Sequence, residues 1–248
     1  GSDHRNEFGL IVEIIGLRRI RNRLPGVDDG VGGLGEIERR VTFIVAHLAD
    51  VLPETAIVCN GAGNYAGWLH RFYRYRSPGS QLAPTSGSMG YGFPASIGVQ
   101  IAHPDALVIN VAGEASWLMN MQEMGTAVQY RLPVKQFILN NERLGMVRQW
   151  QELLHGERYS HSWSEALPDF VKLAEAFGAK GILCSDPDDL DDAIMEMINH
   201  DGPVIFDCLV EKHENCFPMI PSGKAHNEML LGEAETQGVI DAKGSVMV

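Results

Sequence analysis

Two apolar runs, Leu107-Val108-Ile109-Asn110-Val111-Ala112 and Val134-Lys135-Gln136-Phe137-Ile138-Leu139, constrain the fold of this chain more than any other feature. Each has the length of a strand, and neither alternates polar with apolar positions, the pattern of strands covered on both faces of a sheet. A helical stretch around Leu118 to Tyr130 lies between them, so the unit is strand, helix, strand. Such units close right-handed into parallel sheets. The rest of the chain alternates in the same way. Helices are predicted at Glu36 to Leu52, after Phe93-Pro94, at Leu144 to Leu154, at Leu167 to Phe177 and from Pro187 to Asn199. Strands are predicted at Thr55 to Cys59, Gly181 to Cys184 and Val204 to Val210. The predicted fold class is α/β, one doubly wound parallel sheet with helices on both faces in a single main domain.

The ends of the two runs carry the chemistry. The first runs into Gly113-Glu114-Ala115-Ser116 and the second into Asn140-Asn141. A carboxylate and a carboxamide at the carboxyl ends of neighbouring parallel strands meet at one rim of the sheet. Both are hard oxygen ligands for a cation such as Mg²⁺, which completes its octahedron with phosphate oxygens and water. If Ala115 and Ser116 open a helix, their free N–H groups and the positive end of its dipole face the same place. Spacing alone leaves this reading level with a plainer one, a solvent-facing acid at a strand end beside an Asn-Asn turn.

Two glycine-rich segments flank this pair. Gly61-Ala62-Gly63-Asn64-Tyr65-Ala66-Gly67 follows a strand as a dinucleotide fingerprint does, but no acid stands about 20 residues later to bind a ribose. It either gives backbone N–H groups to a phosphate or turns a strand into a helix. Gly87-Ser88-Met89-Gly90-Tyr91-Gly92-Phe93-Pro94 enters a helix and lets a ligand approach the backbone closely, or is a structural turn. Met146 and Trp150, four residues apart after Asn141, share a helix face that is either core or the wall of a pocket.

Charge narrows the function classes. A net charge of −12 and a pI near 5.1 repel nucleic acid and anionic membranes, so neither is expected as a partner. Residues 55–104 nevertheless contain no acid and carry Arg71, Arg74 and Arg76, which suits an anionic ligand or a solvated basic strip. Cys59, Cys184, Cys208 and Cys216 are widely spaced with no CxxC pair, which predicts reduced thiols in the cytoplasm. Residues 1–35 read as an amphipathic basic segment and a glycine-dense linker, with Gly1-Ser2 the remnant of an expression tag. Leu10 to Arg19 is too short and too charged to span a bilayer, and residues 36–248 are the predicted folded domain.

Taken in order, Thr85 to Ala95, the Gly113 to Asn141 spacing, Gly145-Met146-Val147-Arg148-Gln149-Trp150, Pro168 to Gly178 and the tail Glu214 to Gly223 resemble the diphosphate-binding domain of thiamine-diphosphate enzymes. The match is closest to the acetolactate synthase (acetohydroxyacid synthase) catalytic subunit. The resemblance implies thiamine diphosphate and Mg²⁺ as cofactors, with FAD only where a middle domain is supplied. It implies metal ligands at Glu114, Asn141 and the carbonyl of Arg143. Gly113, Ala115 and Ser116 are implied at the diphosphate, with Asn64 and Tyr65 also on the cofactor. Gly87 accepts from the aminopyrimidine, next to Ser88, and Met89 props the cofactor into its bent shape. Met146 and Trp150 border a 2-ketoacid substrate such as pyruvate.

The activating glutamate of such enzymes belongs to a pyrimidine-binding domain that residues 1–35 are too short to encode. No catalytic acid is therefore expected in this chain, and its implied partner is a second copy or a chain carrying that domain. Two positions depart from the family pattern: Glu114 stands where Asp is usual, and Asn64-Tyr65 where Gln-His is. The second departure keeps a benzoylformate- or pyruvate-type 2-ketoacid decarboxylase as an alternative to the carboligase. The first keeps a non-catalytic domain.

Overall fold

The apolar runs form the middle of a parallel sheet. In a computed structural model that describes residues 40–232, the strands are β1 (Ile57–Asn60), β2 (Gln81–Leu82), β3 (Val108–Gly113), β4 (Lys135–Asn140), β5 (Lys180–Cys184) and β6 (Val204–Leu209). They lie in the order β2-β1-β3-β4-β6-β5, every neighbouring pair parallel. Val111 sits opposite Phe137 and Phe137 opposite Phe206, whose rings stack with centroids 4.6 Å apart. The predicted doubly wound α/β sheet is what the chain forms. The predictions for residues 1–35 and the first residues of the 36–52 helix lie outside the described residues.

The helices are α1 (Val41–Val51), α2 (Asn64–Phe72), α3 (Gly92–Ala102), α4 (Glu114–Leu118), α5 (Glu123–Gln129), α6 (Gly145–Leu154), α7 (Phe170–Phe177) and α8 (Leu190–Asn199). The crossovers through α2 and α8 run towards the β2 edge and the others away from it. Right-handed connections of opposite direction lie on opposite faces. Accordingly α3 packs on β1 and β3, α7 on β5 and β6, and α5 between them, while α1 packs on α2 and its His47 hydrogen-bonds to Asp191 of α8. Both faces of the central strands are therefore covered, and Val108, Ile109, Phe137, Ile138, Val204, Ile205 and Phe206 are shut away from water.

Three elements differ from expectation, the first being the two-residue edge strand β2, which was not predicted. The single helix predicted around Leu118 to Tyr130 is two helices, α4 and α5, parted at Met119–Gln122. Asn120 gives its side-chain N–H to the carbonyl of Gly90 and its own carbonyl to the N–H of Glu123, so the local turn takes the groups a continuous helix needs. The glycine-rich segment 61–67, read as a phosphate loop or a strand-to-helix turn, makes that turn, and residues 64–72, for which no helix was predicted, form α2. Its Gly67 serves packing, since a Cβ there would stand 3.0 Å from Cys216 Sγ.

Candidate functional site

Strands β1 and β3 are neighbours from which the chain departs in opposite directions, and a doubly wound sheet opens a crevice at that point beyond the carboxyl ends. A pocket lies there. Its floor comes from the residues just beyond each strand: Ala62, Gly63 and Asn64 after β1, Glu114 and Ala115 after β3, and Asn141 and Arg143 after β4. Of the residues singled out from sequence, Asn64, Tyr65, Met89, Gly113, Glu114, Ala115, Ser116, Asn141, Arg143 and Met146 all line it. Gly87, Ser88 and Trp150 do not.

Glu114 is the first residue of α4 and is 1% exposed. Neither carboxylate oxygen completes a hydrogen bond within the protein. Burial pushes its pKa up to about 7, against the pull of the N–H groups of Glu114, Asn141 and Arg143, and the nearby Asp207 carboxylate adds to the rise. A buried carboxylate whose neighbouring N–H groups attract it without closing a hydrogen bond of good geometry costs free energy that a proton or a cation can relieve. Among the described residues no cluster of three or more His, Cys, Asp or Glu side chains could hold a metal. A cation at Glu114 therefore draws its other ligands from neutral oxygens, and Asn141 and Arg143 line the same pocket with a side-chain amide and a main-chain carbonyl to offer. That donor set fits a hard cation such as Mg²⁺.

The turn carrying Asn141 is built from behind. Asn140 donates to Asp207 Oδ1 (2.9 Å) and accepts from the Glu142 N–H, while Asn141 Oδ1 accepts from the Arg143 N–H at 3.3 Å. Residues 142–144 are pinned by Ser162–Ser164, with Leu144 N–H on the Ser162 carbonyl and Ser164 N–H on that of Glu142. Burial raises the Asp207 pKa to about 6.

Tyr65 and Ser116 hold the glycine loops together. The Tyr65 hydroxyl and Ser116 Oγ are 2.7 Å apart, and Ser116 Oγ also accepts the Gly90 N–H at 2.9 Å. The Tyr65 side chain fills the space beside Gly61, Gly63 and Gly113: an added Cβ would stand 2.6 Å from its hydroxyl oxygen at Gly61, and 2.9 and 3.1 Å from its ring at Gly63 and Gly113. The glycines of these loops thus make room for a tyrosine as well as for any ligand. Gly87 takes φ +67°, and Ser88 turns its hydroxyl to Ser86 (2.7 Å). On α6, Met146 and Trp150 are 42% and 43% exposed, which removes the core reading of that pair; Met146 lines the pocket and Trp150, one turn further along α6, does not.

Ala62 and Trp68 also line the pocket and were not singled out from sequence. Trp68 lies four residues after Asn64 on α2, a signal readable once that helix is assigned. Gln149 and Asp207, which brace the pocket from behind, carry no local signal, because their partners are remote in sequence.

Comparison with known proteins meets this geometry. Residues 61–208 match the family model for the thiamine pyrophosphate enzyme C-terminal TPP binding domain. The chain is 44% identical over 187 residues to the acetolactate synthase large subunit of Pyropia yezoensis, covering 75% of this chain and 32% of that protein. It is 37% identical over 189 residues to the acetolactate synthase isozyme 2 large subunit of Escherichia coli K12, covering 76% and 34%. Among solved structures, a thiamine diphosphate-dependent 4-hydroxybenzoylformate decarboxylase from Rhodococcus jostii RHA1 superposes with a TM-score of 0.67 at 26% identity, over 77% of this chain and 36% of that one. The benzoylformate decarboxylase from Polynucleobacter necessarius shares the fold at a TM-score of 0.65 and 21% identity, over 72% and 34%. The chain spans about a third of the length of the curated relatives it matches. The pocket at the β1/β3 switch point thus lies within a recognised cofactor domain, and the chain belongs to the thiamine pyrophosphate enzyme family as its C-terminal TPP-binding domain.

Proposed function

We propose that this chain holds thiamine diphosphate and Mg²⁺ for an acetolactate-synthase-like carboligase, which decarboxylates one 2-ketoacid such as pyruvate and transfers the acetyl unit to a second. The observation that carries the site is Glu114, a buried carboxylate with no hydrogen bond on either oxygen, set at the switch point among glycine loops. In this reading Glu114, Asn141 Oδ1 and the Arg143 carbonyl hold the metal. Gly113, Ala115, Ser116 and Asn64 sit at the diphosphate. Gly87, Ser88, Met89 and Tyr65 shape the cofactor's place, and Met146 and Trp150 border the substrate. Bound thiamine diphosphate supplies a carbon nucleophile and stabilises the negative charge left when CO₂ departs.

The chain's own residues bind and orient. Met89 and Met146 offer apolar surface on two sides of the pocket and so help to exclude water. The Tyr65–Ser116–Gly90 bonds keep the loops at fixed separation. The partner in this reading is a second copy or a chain carrying a pyrimidine-binding domain. It is supported by the outward side of α3, where Pro94, Gly98, Ile101 and Ala102 lie exposed with no charged residue among them. Among the described residues no helix is long and apolar enough to cross a membrane. A cytoplasmic, reducing setting is supported by the four cysteines, all buried and free.

Thermal unfolding with and without thiamine diphosphate plus Mg²⁺ tests the reading. Ligand at 100 times its Kd stabilises the chain by about 2.7 kcal/mol, and the shift is expected to need both components. No shift at millimolar concentrations of both overturns it and leaves the non-catalytic domain. The 4-hydroxybenzoylformate decarboxylase likeness and the Asn64-Tyr65 pair favour a second reading, a 2-ketoacid decarboxylase. Product analysis separates the two on the assembled enzyme. A carboligase releases one CO₂ for each pair of pyruvates joined, whereas a decarboxylase releases one for each aldehyde.

A further inference from the structure

Residues 211–219 cross α1, α2 and α6 as a strap held largely by polar side chains. Glu214 accepts from the Val41 N–H (2.7 Å) and the Thr42 hydroxyl (3.1 Å) at the start of α1. Asn215 bonds Arg148 (2.6 Å) and Glu152 (2.9 Å) on α6, and Arg71 of α2 reaches Cys216 Sγ and the Pro218 carbonyl. At the centre stands Gln149, 2% exposed. Its Oε1 accepts from the Cys216 N–H (2.9 Å) and from Asn64 Nδ2 (2.7 Å). Its Nε2 donates to the Cys216 carbonyl (3.1 Å) and approaches Met219 Sδ at 3.2 Å.

The Gln149 carboxamide therefore uses all of its donors and acceptors. It pairs with the Cys216 main chain as a neighbouring strand would, and it spends its second lone pair on Asn64. Asn64 opens α2 and lines the cofactor pocket. Among the described residues, Gln149 is the one group hydrogen-bonded to the Asn64 side chain. Both partners are buried, so a lost bond leaves a donor stranded away from water.

We infer that Gln149 is a positioning residue for the cofactor pocket: it acts through Asn64, whose amide it orients, and its pairing with Cys216 makes the strap part of that support. The inference rests on reading the pocket as the thiamine diphosphate site. Near-isosteric Gln149→Met removes the bonds and keeps the volume. Gln149→Glu, titrated at the acid end of the binding range where the buried side chain is a neutral carboxylic acid, keeps both acceptor bonds and gives its one O–H to the Cys216 carbonyl.

The test is a cycle on the whole 248-residue chain, titrating thiamine diphosphate at saturating Mg²⁺ into wild type, Asn64→Ala, Gln149→Met and the double variant. Each single variant is expected to bind roughly tenfold more weakly (about 1.4 kcal/mol), the double variant no more weakly than either single, and Gln149→Glu close to wild type. Additive losses, or wild-type affinity in Gln149→Met, overturn the action through Asn64. If Gln149→Met does not unfold cooperatively, Gln149→Glu decides: a tenfold loss there overturns the inference, because the acceptor bonds are intact. Hydrogen exchange at the Cys216 amide is read in the same variants without cofactor. It is expected to quicken in Gln149→Met and not in Asn64→Ala, and unchanged exchange overturns the role of the strap. A wild-type chain that binds no thiamine diphosphate overturns the functional reading and the cofactor half of this inference together, while the exchange measurement still judges the strap.

Discussion

A carboxylate at 1% exposure with no hydrogen bond on either oxygen raises the free energy of the folded chain until a proton or a cation neutralises it. Glu114 has a folded pKa near 7 against an ordinary value of 4.5. Below pH 4.5 the group is neutral folded and unfolded, and burial of its charge costs nothing. Between 4.5 and 7 the unfolded chain sheds the proton that the folded chain keeps, so stability falls as pH rises. Above 7 the full cost stands, about 3 kcal/mol at roughly 1.4 kcal/mol per pKa unit. Metal-free wild type should therefore lose about that much relative to Glu114→Gln between pH 4 and pH 8 in urea unfolding, and saturating Mg²⁺ with thiamine diphosphate should shrink the loss. A pH-independent difference would count against a buried carboxylate. Gly92 makes a second case, since a Cβ there would stand 2.1 Å from Asn110 Oδ1 and 2.9 Å from the Asn60 backbone. Gly92→Ala is expected to lower stability by about 1–3 kcal/mol or more, read as a lower urea midpoint at unchanged slope. The position of Glu114 at a strand end was legible from the apolar run before it. Its lack of hydrogen bonds was not, because that depends on the packing of a turn some 28 positions away.

At the scale of elements, what sequence conveyed and what it hid divide by range. Strands β3 and β4 were legible because continuous apolar runs leave few alternatives, yet β4 contains Lys135 and Gln136, both buried. They are tolerated because Lys135 Nζ donates to the carbonyls of His200 and Gly202, while Gln136 Oε1 accepts from Asn110 (2.8 Å) and Trp117 (3.2 Å). Helix α2 was obscured by glycines whose reason is tertiary: Gly61 and Gly63 clear the Tyr65 side chain and Gly67 clears the strap. The break between α4 and α5 was equally hidden, since Asn120 finds its partner in the loop before α3. The Gln136 cluster ties β3, β4, α3 and α4 beneath the pocket, with Ser96 on the Gln136 amide at 3.3 Å. Gln136→Leu strands the Asn110 and Trp117 donors, and at roughly 1–3 kcal/mol per buried unpaired donor the expected loss is about 2–6 kcal/mol. Chemical denaturation measures it, and near-UV circular dichroism at Trp117 reports whether the aromatic stack with Phe93 survives.

For the whole molecule, the pocket's inventory sets what the chain can do unaided. Glu114 is the one carboxylate among the described residues lining it, and no described lining residue is a histidine, lysine or cysteine. If Glu114 serves the metal, no second carboxylic acid is left there to hold or move a proton, and burial pushes the Tyr65 phenol up to about 12. The pocket's apolar lining is open to solvent at Met89 and Met146, each more than a third exposed. Such a face suits a partner surface that closes the pocket and brings the absent acid. Binding and turnover should therefore separate. The purified chain with thiamine diphosphate, Mg²⁺ and pyruvate is expected to show the thermal shift while forming no acetolactate or acetaldehyde above the cofactor-only control. Turnover is expected to appear only when a pyrimidine-binding domain is supplied on a partner or joined to the chain. Product formed by the chain alone would mean that a group outside the described pocket lining supplies the proton, and would overturn this division of labour.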